Sequence, residues 1–99
     1  MDINALMKQA KELQNKVAAA QEDLGKMVVK GIAGNGLCIV DMTGKYGLQK
    51  LTINPDLLKE DLETITAMIS AAFNDAKSKA DIAIDKVMGA ATAGMPMPN

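Results

Sequence analysis

Two long stretches of helical periodicity flank a middle segment with room for only three short strands. In the first stretch Ile3, Leu6, Ala10, Leu13, Val17, Ala20 and Leu24 recur at alternating steps of three and four, the seam of a heptad repeat. That spacing predicts a helix over 2–24, a rod of roughly 35 Å, with Gly25 as the residue that stops it. In the second stretch Leu62, Ile65, Ile69, Ala72, Ala76, Ala80, Ala83 and Val87 form a stripe, with Met68 and Phe73 alongside. It predicts a helix over 61–87, roughly 40 Å long. Strands of six or seven residues reach only about 20 Å. Both rods must overhang such a sheet, so their apolar stripes need further cover, and a second copy of the chain is the simplest source.

The middle segment reads as an antiparallel meander. Its extended runs are 26–32, 36–43 and 47–53, joined by Ala33-Gly34-Asn35-Gly36 and Gly44-Lys45-Tyr46-Gly47. Connections this short cannot make parallel crossovers. The central run is apolar on both faces, as expected for a strand covered from two sides. Asn54-Pro55 stops the third strand, and 56–59 reads as a turn or a single helical turn. Glu60, Asp61 and Glu63 then complement the N-terminus of the second helix. After Phe73 the stripe is mostly alanine, which favours helix but buries little. The distal half of this helix is therefore expected to project or to pack closely on another helix. The fold class is α+β, with one domain over 1–88 and a flexible tail over 89–99.

Composition removes whole classes of chemistry. The chain has no histidine, and all eleven basic residues are lysine. The usual general base, pH switch and commonest transition-metal ligand are thus missing together. No nucleophile–base pair or ligand set is present, so neither an enzyme nor a metal or other cofactor is expected. Gly34-Asn35-Gly36 lacks the length of a phosphate loop and precedes a strand, so it reads as a hairpin turn. The single Cys38 lies inside an apolar strand and reads as a buried inert thiol. For Tyr46, the lone tyrosine, stacking at an interface and simple exposure both stay open. No run approaches a membrane span, and Met1-Asp2-Ile3-Asn4 lacks the regions of a secretion signal. A cytoplasmic location is expected.

The net charge is −1, but it is unevenly placed. Residues 1–50 hold seven lysines and five acids, and residues 51–99 hold four lysines and seven acids. Lysine binds phosphate mainly as a point charge, whereas the commonest bidentate contact to guanine belongs to arginine. Any nucleic-acid binding by this chain should therefore rest on phosphates, with weak base readout.

Ile53-Asn54-Pro55-Asp56-Leu57-Leu58, Ala71-Ala72-Phe73-Asn74-Asp75-Ala76 and Thr92-Ala93-Gly94-Met95 together resemble the YbaB/EbfC family of bacterial nucleoid-associated proteins. Met7-Lys8-Gln9-Ala10 in the first helix and Gly34-Asn35-Gly36-Leu37 entering the second strand are similar to that family as well. The resemblance spans essentially the whole chain. It implies a helix–three strands–helix protomer in an intertwined homodimer, with sheets paired at the centre and helices projecting as two arms. It also implies binding and compaction of double-stranded DNA in the nucleoid, an influence on transcription, and no catalysis. Members often carry arginines near the third strand and in the second helix, where this chain reads Leu48-Gln49-Lys50-Leu51 and Lys77-Ser78-Lys79.

Lys8, Lys11 and Lys16 on the first helix are candidate DNA contacts, which the resemblance sets level with the other reading, a solvated helix face, and Lys77 and Lys79 are candidates on the second helix. Lys77 and Lys79 stand near Asp75 and Asp81, which can neutralise them. The resemblance points to Leu37, Ile39, Val40, Leu51 and Phe73 as dimer interface. The alternative is a protein-interaction module whose exposed seams recruit replication or recombination proteins, with little DNA binding of its own.

Overall fold

The computed structural model describes residues 2–93. Helix α1 (Ile3–Lys26) leads into strands β1 (Val28–Ala33), β2 (Cys38–Thr43) and β3 (Leu48–Ile53), and helix α2 (Leu62–Ala91) follows. The strands form one antiparallel sheet in the order β1-β2-β3. Gly34–Gly36 and Pro55–Lys59 are short 3-10 turns. Positive φ at Gly34, Asn35 and Gly36 makes the first a left-handed turn rather than a regular 3-10 helix, a conformation that glycine and asparagine tolerate.

Both helices outrun their expected ends. The side chain of Asp2 caps α1 by accepting the Asn4 N–H. The helix then passes through Gly25, the residue expected to stop it, to Lys26. The β2–β3 turn explains the difference. Gly44 N–H donates to Leu24 O at 2.9 Å and to Met27 O at 3.1 Å, so the hairpin satisfies carbonyls that a terminating glycine would otherwise close. Asp61 caps α2 by accepting the Thr64 N–H at 2.9 Å, and hydrogen bonding from the Thr64 side chain, followed by this backbone bond, holds its carboxyl below the usual carboxylate range. At its far end α2 takes in Gly89 and Ala90, which the sequence assigned to the tail, and stops at Ala91. The rest of the expected tail, 94–99, lies outside the described residues.

The core lies between the sheet and α2. Strand alternation turns Cys38, Val40 and Met42 of β2 toward the helix, and all three are buried. They meet Ala33, Leu57, Ala72, Ala76 and Ala80. The Cys38 thiol is buried here, and desolvation raises its pKa. Ile39, Asp41 and Thr43 point to the opposite face and keep part of their surface. Helix α2 lies over β1 and β2. β3 is largely left open, with Leu48 56% and Leu51 40% exposed.

The alanine-rich half of α2 packs on α1. Leu24 borders a cleft with Ile84 and Met88, and Lys16, Ala19 and Ala20 border another with Val87, Ala90 and Ala91. The two helices therefore run antiparallel, and α2 ends beside Lys16. The N-terminal half of α1 continues with no helix beside it among the described residues. Ile3 is 70% and Leu6 46% exposed there. The overhang expected from the lengths thus falls mainly on α1, and the protomer extends 68 × 25 × 17 Å.

Gly31 decides how closely α2 can approach. A Cβ at this position would stand 2.0 Å from Ala72 O and 2.4 Å from Ala76 N. The obstacle is helix backbone, which cannot rotate away as a side chain would. Gly31→Ala is expected to destabilise the protein by at least the ~1–3 kcal/mol usual for overpacking. The shift of the urea unfolding midpoint measures it, and an unchanged midpoint would show that α2 is not seated on β1 in this way.

Candidate nucleic-acid interface

Five lysines are held in ion pairs: Lys26–Glu22, Lys30–Asp41, Lys59–Asp56, Lys77–Asp81 and Lys79–Asp75. Among the described residues no ion pair engages Lys8, Lys11, Lys16, Lys45, Lys50 or Lys86. This division reorders the sites expected from sequence. Lys8, Lys11 and Lys16 lie exposed on α1, Lys8 and Lys11 away from the seam that turns Leu24 and Ala20 inward and Lys16 at its flank, beside the end of α2. The i,i+4 spacing of Lys8 and Glu12 does not produce an ion pair, so Lys8 keeps its charge available.

The two α2 lysines are engaged within the protomer. Lys79 Nζ lies 3.0 Å from Asp75 Oδ2 and donates to Lys30 O at 2.7 Å. Lys77 Nζ lies 4.0 Å from Asp81 Oδ2 and 5.9 Å from the centre of the Tyr46 ring. The acids expected to neutralise these lysines do so.

Sequence reasoning passed over Lys45 and Lys50. The Lys45 aliphatic chain lies across Gly25 of α1, which brings its charge to a helix C-terminus, where cations are favoured. Lys50 stands opposite Asp41 in register, but Lys30 donates to Asp41 at 3.1 Å from the other side. No signal in the sequence separates Lys45 from a solvated lysine, because its placement depends on the hairpin; for Lys50 the one signal is its place in the third-strand stretch where the resembling family often carries arginine.

Tyr46 is 45% exposed and bonded within its own protomer. It adopts φ 65° in the β2–β3 turn, a conformation uncommon for a bulky residue. Its hydroxyl donates to Asp81, which ties the hairpin to α2. That bond to a carboxylate, followed by burial and the charges of Asp81 and Asp85, raises the phenol above its usual pKa.

The expected interface residues separate in the same way. Val40 is 1% exposed, already covered by its own α2, so it has no surface to give a partner. Leu37 packs against the same core. Ile39 lies on the outer face of the sheet and is partly exposed. Leu51 is 40% and Phe73 39% exposed. Phe73 lies roughly 200° around α2 from Asp75, at about 100° per residue. Asp75 reaches the outer edge of β1, so Phe73 faces the β3 side, as Leu48 and Leu51 do. Among the described residues no group of His, Cys, Asp or Glu is arranged to hold a metal ion, and no helix is long and apolar enough to cross a membrane.

The profile of the YbaB/EbfC DNA-binding family matches residues 1–95. A nucleoid-associated protein of Psychrobacter arcticus is 43% identical over 102 residues, covering 99% of this chain and 94% of the relative. One from Brucella ovis is 43% identical over 98 residues, covering 98% and 92%. The fold is similar to the crystal structure of an uncharacterized protein from Helicobacter pylori, with a TM-score of 0.78 at 21% identity over 88% of this chain and 92% of that one.

With one tyrosine in the chain, the ultraviolet absorbance of phenolate reports Tyr46 alone. Its titration midpoint is expected above that of a free tyrosine peptide, and Asp81→Asn should bring it down. A raised pKa stabilises the fold fully below the ordinary tyrosine range. That contribution is lost as pH rises through the raised value. A normal midpoint in the wild type would show that the Tyr46–Asp81 bond does not form.

Proposed function

The chain belongs to the YbaB/EbfC DNA-binding family, and on that premise we propose that it is a nucleoid-associated protein that grips double-stranded DNA as a homodimer. The observation that carries this reading is the free N-terminal half of α1, with the unpaired, exposed Lys8 and Lys11 and with Lys16 at its base. The span from Lys8 to Lys16 is about 12 Å of helix, long enough to meet several phosphates. Lysine supplies charge without bidentate base readout, so binding is expected to be weakly sequence-dependent. That suits compaction of DNA, with any effect on transcription following from occupancy.

A second copy is needed to give two arms. The open side of β3 supports such a pairing. Thr43 N–H donates to Gly47 O and Asn54 N–H to Leu37 O. Alternation along an antiparallel strand then turns the backbone groups of Lys50 and Thr52 toward β2, and those of Leu51 and Ile53 outward. In the proposed dimer β3 pairs antiparallel with its copy about a two-fold axis, an isologous contact. Leu48, Leu51 and Phe73 of the two copies cover one another beside that seam. Leu51 and Phe73 thus remain the interface residues. Linking two arms raises the effective concentration of the second at one duplex.

Two measurements test the reading. Fluorescence anisotropy with a random duplex should show affinity falling steeply with salt, by about 0.9 log unit per log unit of salt for each phosphate neutralised. Lys8→Glu with Lys11→Glu should weaken binding roughly tenfold or more at low salt and leave the dimer intact. Unchanged affinity would remove α1 from the DNA interface. No binding by the wild-type dimer would instead favour the protein-interaction reading, with Ile3, Leu6 and Met7 as the exposed contact stripe. Leu51→Lys places a charge in the β3 seam and is expected to give a folded monomer by sedimentation. A persistent dimer would place the interface elsewhere.

A further inference from the structure

A sheet of three strands has two edges, and this protein treats them differently. At β3 the outward N–H and C=O groups of Leu51 and Ile53 have no partner among the described residues. At β1 the outward residues are Val28, Lys30 and Ile32, since Gly31 and Ala33 pair with β2 across Val40 and Cys38. Two side chains from one turn of α2 reach over this edge. Asp75 Oδ2 accepts the Ile32 N–H at 2.9 Å. Lys79 Nζ donates to Lys30 O at 2.7 Å, and the two side chains are joined to each other at 3.0 Å.

We propose that Asp75 and Lys79 form a clamp that closes the β1 edge, so that assembly through the sheet proceeds from β3 alone and stops at two copies. This rests on the β3-paired dimer described above. A free β1 edge would let each dimer add further copies at both ends, making an open-ended sheet. Backbone groups on an edge strand are the template for such growth. Here one acceptor and one donor are occupied by the opposite kinds of group, an anion on the N–H and a cation on the C=O. The Ile32 N–H, and after it Lys79, hold the Asp75 carboxyl below its ordinary range, consistent with a carboxylate fixed at the edge. Lys79 is on this view an assembly residue, and its charge is not offered to DNA.

The clamp separates from the dimer seam by experiment. Sedimentation velocity at low and high protein concentration is compared for the wild type, Asp75→Ala with Lys79→Ala, and Leu51→Lys. The expected result is a two-copy species for the wild type, larger species growing with concentration for the clamp variant, and a monomer for Leu51→Lys. A clamp variant that folds and stays at two copies, beside a dimeric wild type and a monomeric Leu51→Lys, overturns the clamp but keeps the dimer. A monomeric wild type, or a dimeric Leu51→Lys, overturns the β3 pairing and with it this inference.

Hydrogen exchange gives a second readout that does not depend on the double variant folding. In Asp75→Ala alone the Ile32 amide should exchange roughly tenfold faster, the loss of one charge-assisted hydrogen bond, while Gly31 and Ala33 keep their protection. Unchanged exchange at Ile32 would show that Asp75 does not hold the edge.

Discussion

Helix α2 rests on the sheet backbone because β1 offers Gly31 where α2 offers Ala72 and Ala76. With no side chain between them, the helix comes close enough for a short carboxylate to reach past the sheet margin. Asp75 bonds the Ile32 N–H only because the axis of α2 is held this near. The same seating turns Phe73 toward β3 and brings Lys77 and Asp81 to the β2–β3 turn. A larger residue at 31 would lift α2, and these contacts would be lost together. The small residues of this contact bury little area, and their importance lies in the distance they permit.

That close seating also explains why the sheet is covered on one side only in part. A single helix centred over β1 and β2 cannot extend over β3. Leu48, Leu51 and Phe73 are all exposed on the side left uncovered, and the proposed dimer covers them. The exposed stripe of α1, by contrast, lies at the far end of the arm, so the two apolar surfaces do not compete for one partner.

The architecture was legible in the sequence to the extent that it rests on periodicity. Steps of three and four located both helices, and turn residues located the three strands. The helix ends were less legible. Gly25 looked like a stop, and only the capping of Leu24 O by Gly44 from another part of the chain lets α1 continue. The lysines were legible as a set but not as individuals. Asp75 and Asp81 sit four residues from Lys79 and Lys77, respectively, a spacing that foretold pairing. The contact of Lys79 with Lys30 O joins residues far apart in the chain and has no local signature. Val40 shows the same limit. Its strand is apolar on both faces, so the sequence could not tell which face the protomer itself would cover.

An acidic chain can still meet DNA with a basic surface if its acids are either paired or distant. Asp75 and Asp81 are paired with lysines on α2, Asp41 with Lys30, and Asp56 with Lys59. Of the carboxylates on α1, Glu12 is the nearest along the helix to Lys8 and Lys11, while Glu22 shares their face but lies about 16 Å beyond Lys11 and is paired with Lys26. Because α2 ends beside Lys16, Asp85 lies roughly 20 Å from Lys8 along the paired helices. That is about twice the screening length of roughly 10 Å at moderate salt. In the proposed complex a phosphate at the tip of α1 therefore meets the charges of α1 itself, Lys8 and Lys11 with Glu12, more than the net charge of the whole protein. The overhang that leaves α1 without a neighbouring helix is also what separates its lysines from the acids of the body.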